Sequence, residues 1–114
     1  MPLLNITTNQ QSEAALATTL IKLASEAVST MLGKPERYVM VVLTHNPQML
    51  FAGTDEPLAY LELKSIGLPA ERTTEFSQIL SELINHHLQI PANRIYIEFS
   101  DAQRHLWGWN GGTF

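Results

Sequence analysis

The chain contains no cysteine, which excludes disulfides, thiol nucleophiles and cysteine-ligated zinc and leaves the redox compartment open. It is also sparing with charge. Only 16% of its residues are charged, and 7 Lys and Arg against 11 Asp and Glu give a formal net charge of −4. A protein that lives on phosphate contacts needs a basic face, so nucleic acid is not an expected partner. No apolar run approaches the roughly 18 residues of a membrane span. The opening Met1-Pro-Leu-Leu-Asn5 lacks the basic and long apolar regions of a signal peptide. A soluble, cytoplasmic protein without a membrane partner is therefore expected, and the sequon Asn5-Ile6-Thr7 reads as chance.

What is present is enough for one modest core. At 114 residues and 45% apolar, the chain suits a single domain over 1–114. Pro2 to Thr8 is short, apolar and β-branched, and reads as a strand. Ser12 to Leu32 follows at helical spacing, with Leu16, Leu20, Leu23, Ala27 and Met31 as its apolar stripe and Gly33 just past its end. Pro35 blocks continuation, and Tyr38 to Leu43 reads as a strand with apolar residues on both faces.

The second half repeats this order. Leu58 to Ile66 reads as a strand ended by Gly67. Pro69 to Leu88 reads as a helix with Phe76, Ile79, Leu80, Leu83 and Leu88 on one side, and Arg94 to Phe99 as a strand. Both halves enter their last strand through a proline and a short polar linker ending in arginine: Lys34-Pro-Glu-Arg-Tyr-Val and Ile90-Pro-Ala-Asn-Arg-Ile. These are two βαβ units in tandem, sharing one sheet with both helices packed on one face. The strand from Tyr38 offers no polar side to water, so other copies of the chain are expected to cover it.

Candidate chemistry starts at the N-terminus. Proline is small enough in second position for Met1 to be removed, which leaves a secondary amine. An α-amino group titrates near 7.7–8.0, and desolvation beside Leu3 and Leu4 lowers that value towards what proton abstraction next to a carbonyl requires. On these residues alone, a proline that merely opens an edge strand is the commoner reading. His45, His86, His87 and His105 include no i, i+4 pair, so no metal is expected. The tail Trp107-Gly-Trp-Asn-Gly-Gly-Thr-Phe114 suits an apolar ligand wall as well as a plug at a strand edge. Lys34, just past a helix end, is either a solvated complement to the helix dipole or a fixed cation for a carboxylate.

Together Pro2, Gly33-Lys-Pro35, Ser65-Ile-Gly67, Arg94-Ile-Tyr-Ile97, Gly108-Trp-Asn110 and Thr113-Phe114 resemble the macrophage migration inhibitory factor and D-dopachrome tautomerase family over the whole chain. The resemblance implies an α+β fold: two tandem β-α-β units forming one four-stranded mixed sheet, assembled as a barrel-like homotrimer. It implies keto–enol tautomerase activity on phenylpyruvate-like aromatic keto acids, without a cofactor. Pro2 corresponds to the family's catalytic amine and Lys34 to its carboxylate-binding lysine. Ile66 corresponds to a backbone amide of the site, and Tyr96 to a tyrosine reaching in from the adjacent subunit. Tyr38, Trp107, Trp109 and Phe114 correspond to its apolar walls.

Three departures bear on this reading, one being Trp107, which replaces a smaller apolar residue and is expected to shrink the pocket mouth. Glu98 stands where mammalian members carry Asn, and is expected either to pair with Lys34 or to repel an anionic substrate. Leu58-Ala-Tyr-Leu61 replaces a Cys-x-x-Cys, so thiol–disulfide chemistry does not transfer. The alternative function is a cytokine-like interaction protein with a vestigial pocket. A related decarboxylase or dehalogenase would need further Arg or Glu in the pocket, and the sequence suggests only Glu98.

Overall fold

A computed structural model describes all 114 residues. β1 (Leu3–Thr8) leads through α1 (Ala14–Leu32) to β2 (Met40–His45), and β3 (Ala59–Ile66) through α2 (Thr73–Leu88) to β4 (Ile95–Ala102). Within each half the two strands pair in parallel, and the halves join where β1 runs antiparallel to β3. One four-stranded mixed sheet results, in the order β2-β1-β3-β4. A small hairpin, β5 (Gly108–Trp109) with β6 (Gly112–Thr113), closes the chain.

Strand alternation decides which face becomes core. Leu4, Ile6 and Thr8 on β1, and Ala59, Leu61, Leu63 and Ser65 on β3, turn to the helices and are buried. They meet Leu20, Ala24, Val28 and Met31 of α1 and Phe76, Leu80, Ile84 and Leu88 of α2. Both helices therefore lie on one face, as expected. The α1 stripe, however, is rotated from the sequence reading: Leu16 and Leu23 stay more than a third exposed, while Ala24 and Val28 are fully buried. Two apolar registers exist along α1, and the small Ala24 lets the helix sit closer to the sheet. By length and hydropathy alone α1 could cross a membrane. Here its apolar stripe is spent on the core, and Lys22 and Glu26 interrupt the run.

Boundaries moved at the proline-led linkers. Tyr38 lies in a 3-10 turn, Glu36–Tyr38, so β2 begins only at Met40. A similar turn, Ala70–Arg72, precedes α2, which starts at Thr73 rather than Pro69. Each linker proline opens its turn, since a fixed φ suits a first turn and the missing N–H costs nothing there.

The sheet face away from the helices is open. It is apolar towards β2, where Met40 and Val42 are 62% and 40% exposed. Towards β3 and β4 it carries Glu62, Lys64 and Glu98, with Lys64 3.3 Å from Glu62. The apolar character expected of the strand from Tyr38 is seen at that edge, and the rest of the face is polar.

Candidate functional site

Pro2 ends up on the floor of a cavity because β1 begins immediately after it. The Pro2 carbonyl accepts from the Met40 amide at 3.0 Å, which fixes the chain start against the head of β2. The Pro2 ring is fully buried. Around it lies a cavity of ≈ 340 Å³ lined by Met1, Pro2, Leu3, Arg37, Tyr38, Val39, Met40 and the tail residues Trp107, Gly108, Trp109 and Phe114. Its volume falls at the low end for small-molecule sites.

The aromatic wall is built rather than incidental. Tyr38 meets Trp109 edge-on at 5.5 Å and Phe114 at 6.0 Å, while Trp109 and Phe114 stack at 5.3 Å. The hairpin turn passes through Asn110 and Gly111, both at positive φ, and the Phe114 amide donates to the Trp107 carbonyl at 3.1 Å. Of the two readings open for the tail, the structure places it as a cavity wall.

Lys34 and Ile66 flank the chain start from either side. Gly33 adopts φ +62 at the end of α1, a conformation that costs any residue with a Cβ about 1–2 kcal/mol. Behind it the Lys34 amide donates to Ser29 O at 3.1 Å and Ser29 Oγ donates to Lys34 O at 2.6 Å, so the lysine backbone is pinned. On the other side, Leu3 is level with Lys64 on β3, and continuing that register brings Ser65 and Ile66 beside Pro2 and Met1. Asp101 Oδ1 accepts from the amides of Gly67 and Leu68 at 2.9 and 3.2 Å, which holds this turn in place.

The electrostatics favour a neutral amine and a bound anion. The amino terminus at Met1 titrates below its ordinary value, first because it is partly buried and then because Lys34 and Arg104 put positive charge nearby. Arg37 stacks its guanidinium 4.8 Å from the centre of the Tyr38 ring at the cavity wall. Sequence reasoning missed Arg37 and Arg104 as site residues. Besides Lys34, the sequence suggested only Glu98 as a charged residue of the pocket; Arg37 lines it and Arg104 acts on the amino terminus.

Tyr96 and Glu98 are not part of this cavity within one chain. Tyr96 is level with Tyr60, five steps along β3 from the level of Pro2, or roughly 16 Å at about 3.3 Å per residue. Tyr96 is 66% exposed and packs 4.7 Å from Phe51. Glu98 accepts a hydrogen bond from the Tyr60 hydroxyl at 2.9 Å, so its partner is Tyr60 and not Lys34; this bond holds the Tyr60 hydroxyl above its ordinary pKa. Arg94 is the buried cation of this end. It donates to the carbonyls of Phe51, Thr54, Glu56 and Pro57 and lies over the Phe51 ring at 5.2 Å, fixing the loop on which Tyr96 rests. No cluster of His, Asp or Glu could hold a metal.

These features define a class: a duplicated βαβ chain whose own amino terminus opens into an aromatic, cation-rimmed cavity. The chain belongs to the macrophage migration inhibitory factor family, whose model matches residues 1–114. It is 36% identical to a macrophage migration inhibitory factor homologue of Brugia malayi, over all of this chain and 99% of the relative. Among solved structures, a homologue from Prochlorococcus marinus is 45% identical with a TM-score of 0.93, covering 98% of both chains. The Toxoplasma gondii protein superposes with a TM-score of 0.93 at 33% identity, covering 98% of this chain and 99% of the other.

Proposed function

We propose that this protein is a keto–enol tautomerase acting on aromatic 2-keto acids, with the nitrogen of Pro2 as its proton shuttle once Met1 is removed. The observation that carries the reading is the buried Pro2 on the floor of an aromatic cavity, beside an amino terminus whose basicity is lowered. In the unprocessed chain that nitrogen is a tertiary amide with its lone pair delocalised, and the Met1 side chain fills part of the cavity. Removing Met1 supplies the base and the room for substrate in one step. A free amine titrating near neutrality can take the proton next to the keto group and return it to the other end of the enolate. The Lys34 ammonium holds the carboxylate by a charge-assisted contact, and the rings of Tyr38, Trp109 and Phe114 hold the aromatic end.

The site is completed by assembly. A homotrimer that brings Tyr96 and Glu98 of one chain to the Pro2 cavity of the next gives these two exposed residues a place in the site. It also covers the apolar edge at Met40 and Val42.

The test is phenylpyruvate tautomerisation followed by ultraviolet absorbance. Activity scales with the fraction of chains lacking Met1, measured by mass spectrometry, and falls by orders of magnitude in Pro2→Gly. Equal turnover by fully Met1-retained protein would exclude the mechanism. An interaction protein working through its outer surface would instead keep its binding in Pro2→Gly.

A further inference from the structure

Lys22 is exposed on α1, and the other six of the seven basic side chains sort into two groups by what they touch. Lys64 pairs with Glu62, Arg72 with Glu75, and Arg94 with four backbone carbonyls. Lys34, Arg37 and Arg104 form no ion pair and no side-chain hydrogen bond; Arg37 lines the Pro2 cavity, and Lys34 and Arg104 lie near enough to the amino terminus there to act on its charge. Arg104 begins the 3-10 turn that ends at the lining residue Trp107, whose amide donates to the Arg104 carbonyl at 3.2 Å. No acidic side chain of this subunit lines the cavity. The nearest acid in sequence, Glu36, is turned away and accepts from Ser25 Oγ at 2.9 Å. In a chain of net charge −4, the three unpaired cations that one subunit sets about this cavity outnumber the single carboxylate, Glu98, that a neighbouring subunit brings to it, so the cavity favours negative charge and more of it than one carboxylate carries.

The cations also stand apart from one another. Lys34 follows the end of α1 and flanks the amino terminus. Arg37 is held at the aromatic wall by stacking on the Tyr38 ring, which occupies its π face and leaves the N–H edge of the fork free. That edge suits bidentate binding of a second carboxylate.

We propose that the cavity takes a dianion: a keto acid whose carboxylate meets Lys34 and whose aromatic ring carries, at its far end, a second acidic group that meets Arg37. This deepens the tautomerase reading and rests on the Pro2 cavity being the substrate site. Arg37 is then a specificity-determining residue, and Arg104 adds to the field that draws the dianion in.

The experiment separates binding from turnover. The probes for binding are 3-(4-carboxyphenyl)propanoate, which has both acids and no keto group, and its ring-carboxyl methyl ester, which keeps only the propanoate charge. Isothermal titration with processed protein gives the diacid an affinity about tenfold to a hundredfold above the ester, the range of one charge-assisted contact. In Arg37→Gln the ratio collapses towards one, Arg37→Lys retains part of it, and in the wild type it shrinks as salt is raised. Arg37 is exposed, and circular dichroism confirms that each variant folds. Equal affinities for the two probes, a ratio unchanged in Arg37→Gln, or no diacid binding would overturn the proposal. Turnover of 3-(4-carboxyphenyl)pyruvate against phenylpyruvate is read separately. Tight diacid binding without turnover of either keto acid would sink the tautomerase reading and leave the dianion site standing.

Discussion

Arg37 and Arg94 both fall in proline-led turns ahead of a strand, Arg37 in the middle of Glu36–Tyr38 and Arg94 at the end of Ala92–Arg94. Their fates are opposite. Arg94 is 9% exposed and saturated by carbonyls, whereas Arg37 faces a cavity with its donors free. The repeat made both arginines visible in the sequence, but which is structural depends on the loop Phe51–Pro57 folding over Arg94 while Arg37 stays exposed. Pro2, Tyr38, Trp107, Trp109 and Phe114, which line the cavity, were singled out by the family resemblance, since taken one by one their local motifs favoured no functional reading. Arg104 was not, since its place depends on where the tail docks. The charge it adds has a measurable consequence. Burial, Lys34 and Arg104 all lower the basicity of the Met1 amino group, and in the proposed mechanism the same two cations act on the Pro2 nitrogen that takes its place as the terminus. Arg104→Gln is therefore expected to move the rising limb of the kcat/KM profile to higher pH, so that less of the amine is in its active, neutral form near pH 7. A limb that stayed in place would show that Arg104 does not act on the base.

At the level of elements, the two helices end in the same left-handed conformation with different residues. α1 is capped by Gly33 at φ +62 and α2 by Gln89 at φ +58. Glycine adopts this region without penalty, while a residue with a Cβ loses about 1–2 kcal/mol. The Gln89 side chain recovers part of this by donating to His86 O at 2.9 Å in an exposed setting. Gln89→Gly is expected to stabilise the fold by about 0.5–1 kcal/mol, read as a higher denaturant midpoint at unchanged slope. An unchanged or lower midpoint would mean that the side-chain bond outweighs the backbone strain. Gly33 was legible as a stop because glycine after a helical run is a strong signal, and α2 lacked one. The phase of α1 was less legible. Leu16, Leu23 and Ala27 form one apolar register and Leu20, Ala24, Val28 and Met31 another, and only the shape of the sheet beneath selects between them. The strand boundary at Met40 shifted for a related reason: Val39 and Tyr38 suit a strand by composition, but Pro35 starts a turn that consumes Glu36–Tyr38 first.

For the molecule as a whole, the sheet ends in two unpaired edges, β2 and β4, and long exposed edges of this kind are normally covered. β2 brings Met40 and Val42, and β4 brings Tyr96 and Glu98 on the open face. The roughly 16 Å between the level of Tyr96 and that of Pro2 cannot be closed inside one chain without dismantling the sheet. An edge-to-edge ring of three subunits places the β4 side of one chain against the β2 side, and hence the Pro2 cavity, of the next. The contact is heterologous and closes by rotation, so no edge is left over. Light scattering at micromolar concentration is expected to give three times the chain mass of 12.8 kDa. The sharper test uses mixed assemblies. Pro2→Gly subunits lack the base but carry Tyr96, and Tyr96→Phe subunits lack the hydroxyl but carry Pro2. Refolded together, they form trimers in which some interfaces combine an intact Pro2 with an intact Tyr96. The mixture should therefore turn over phenylpyruvate faster than the average of the two variants assembled alone. If each site drew on one chain only, every site would carry one lesion or the other, and the mixture would match that average.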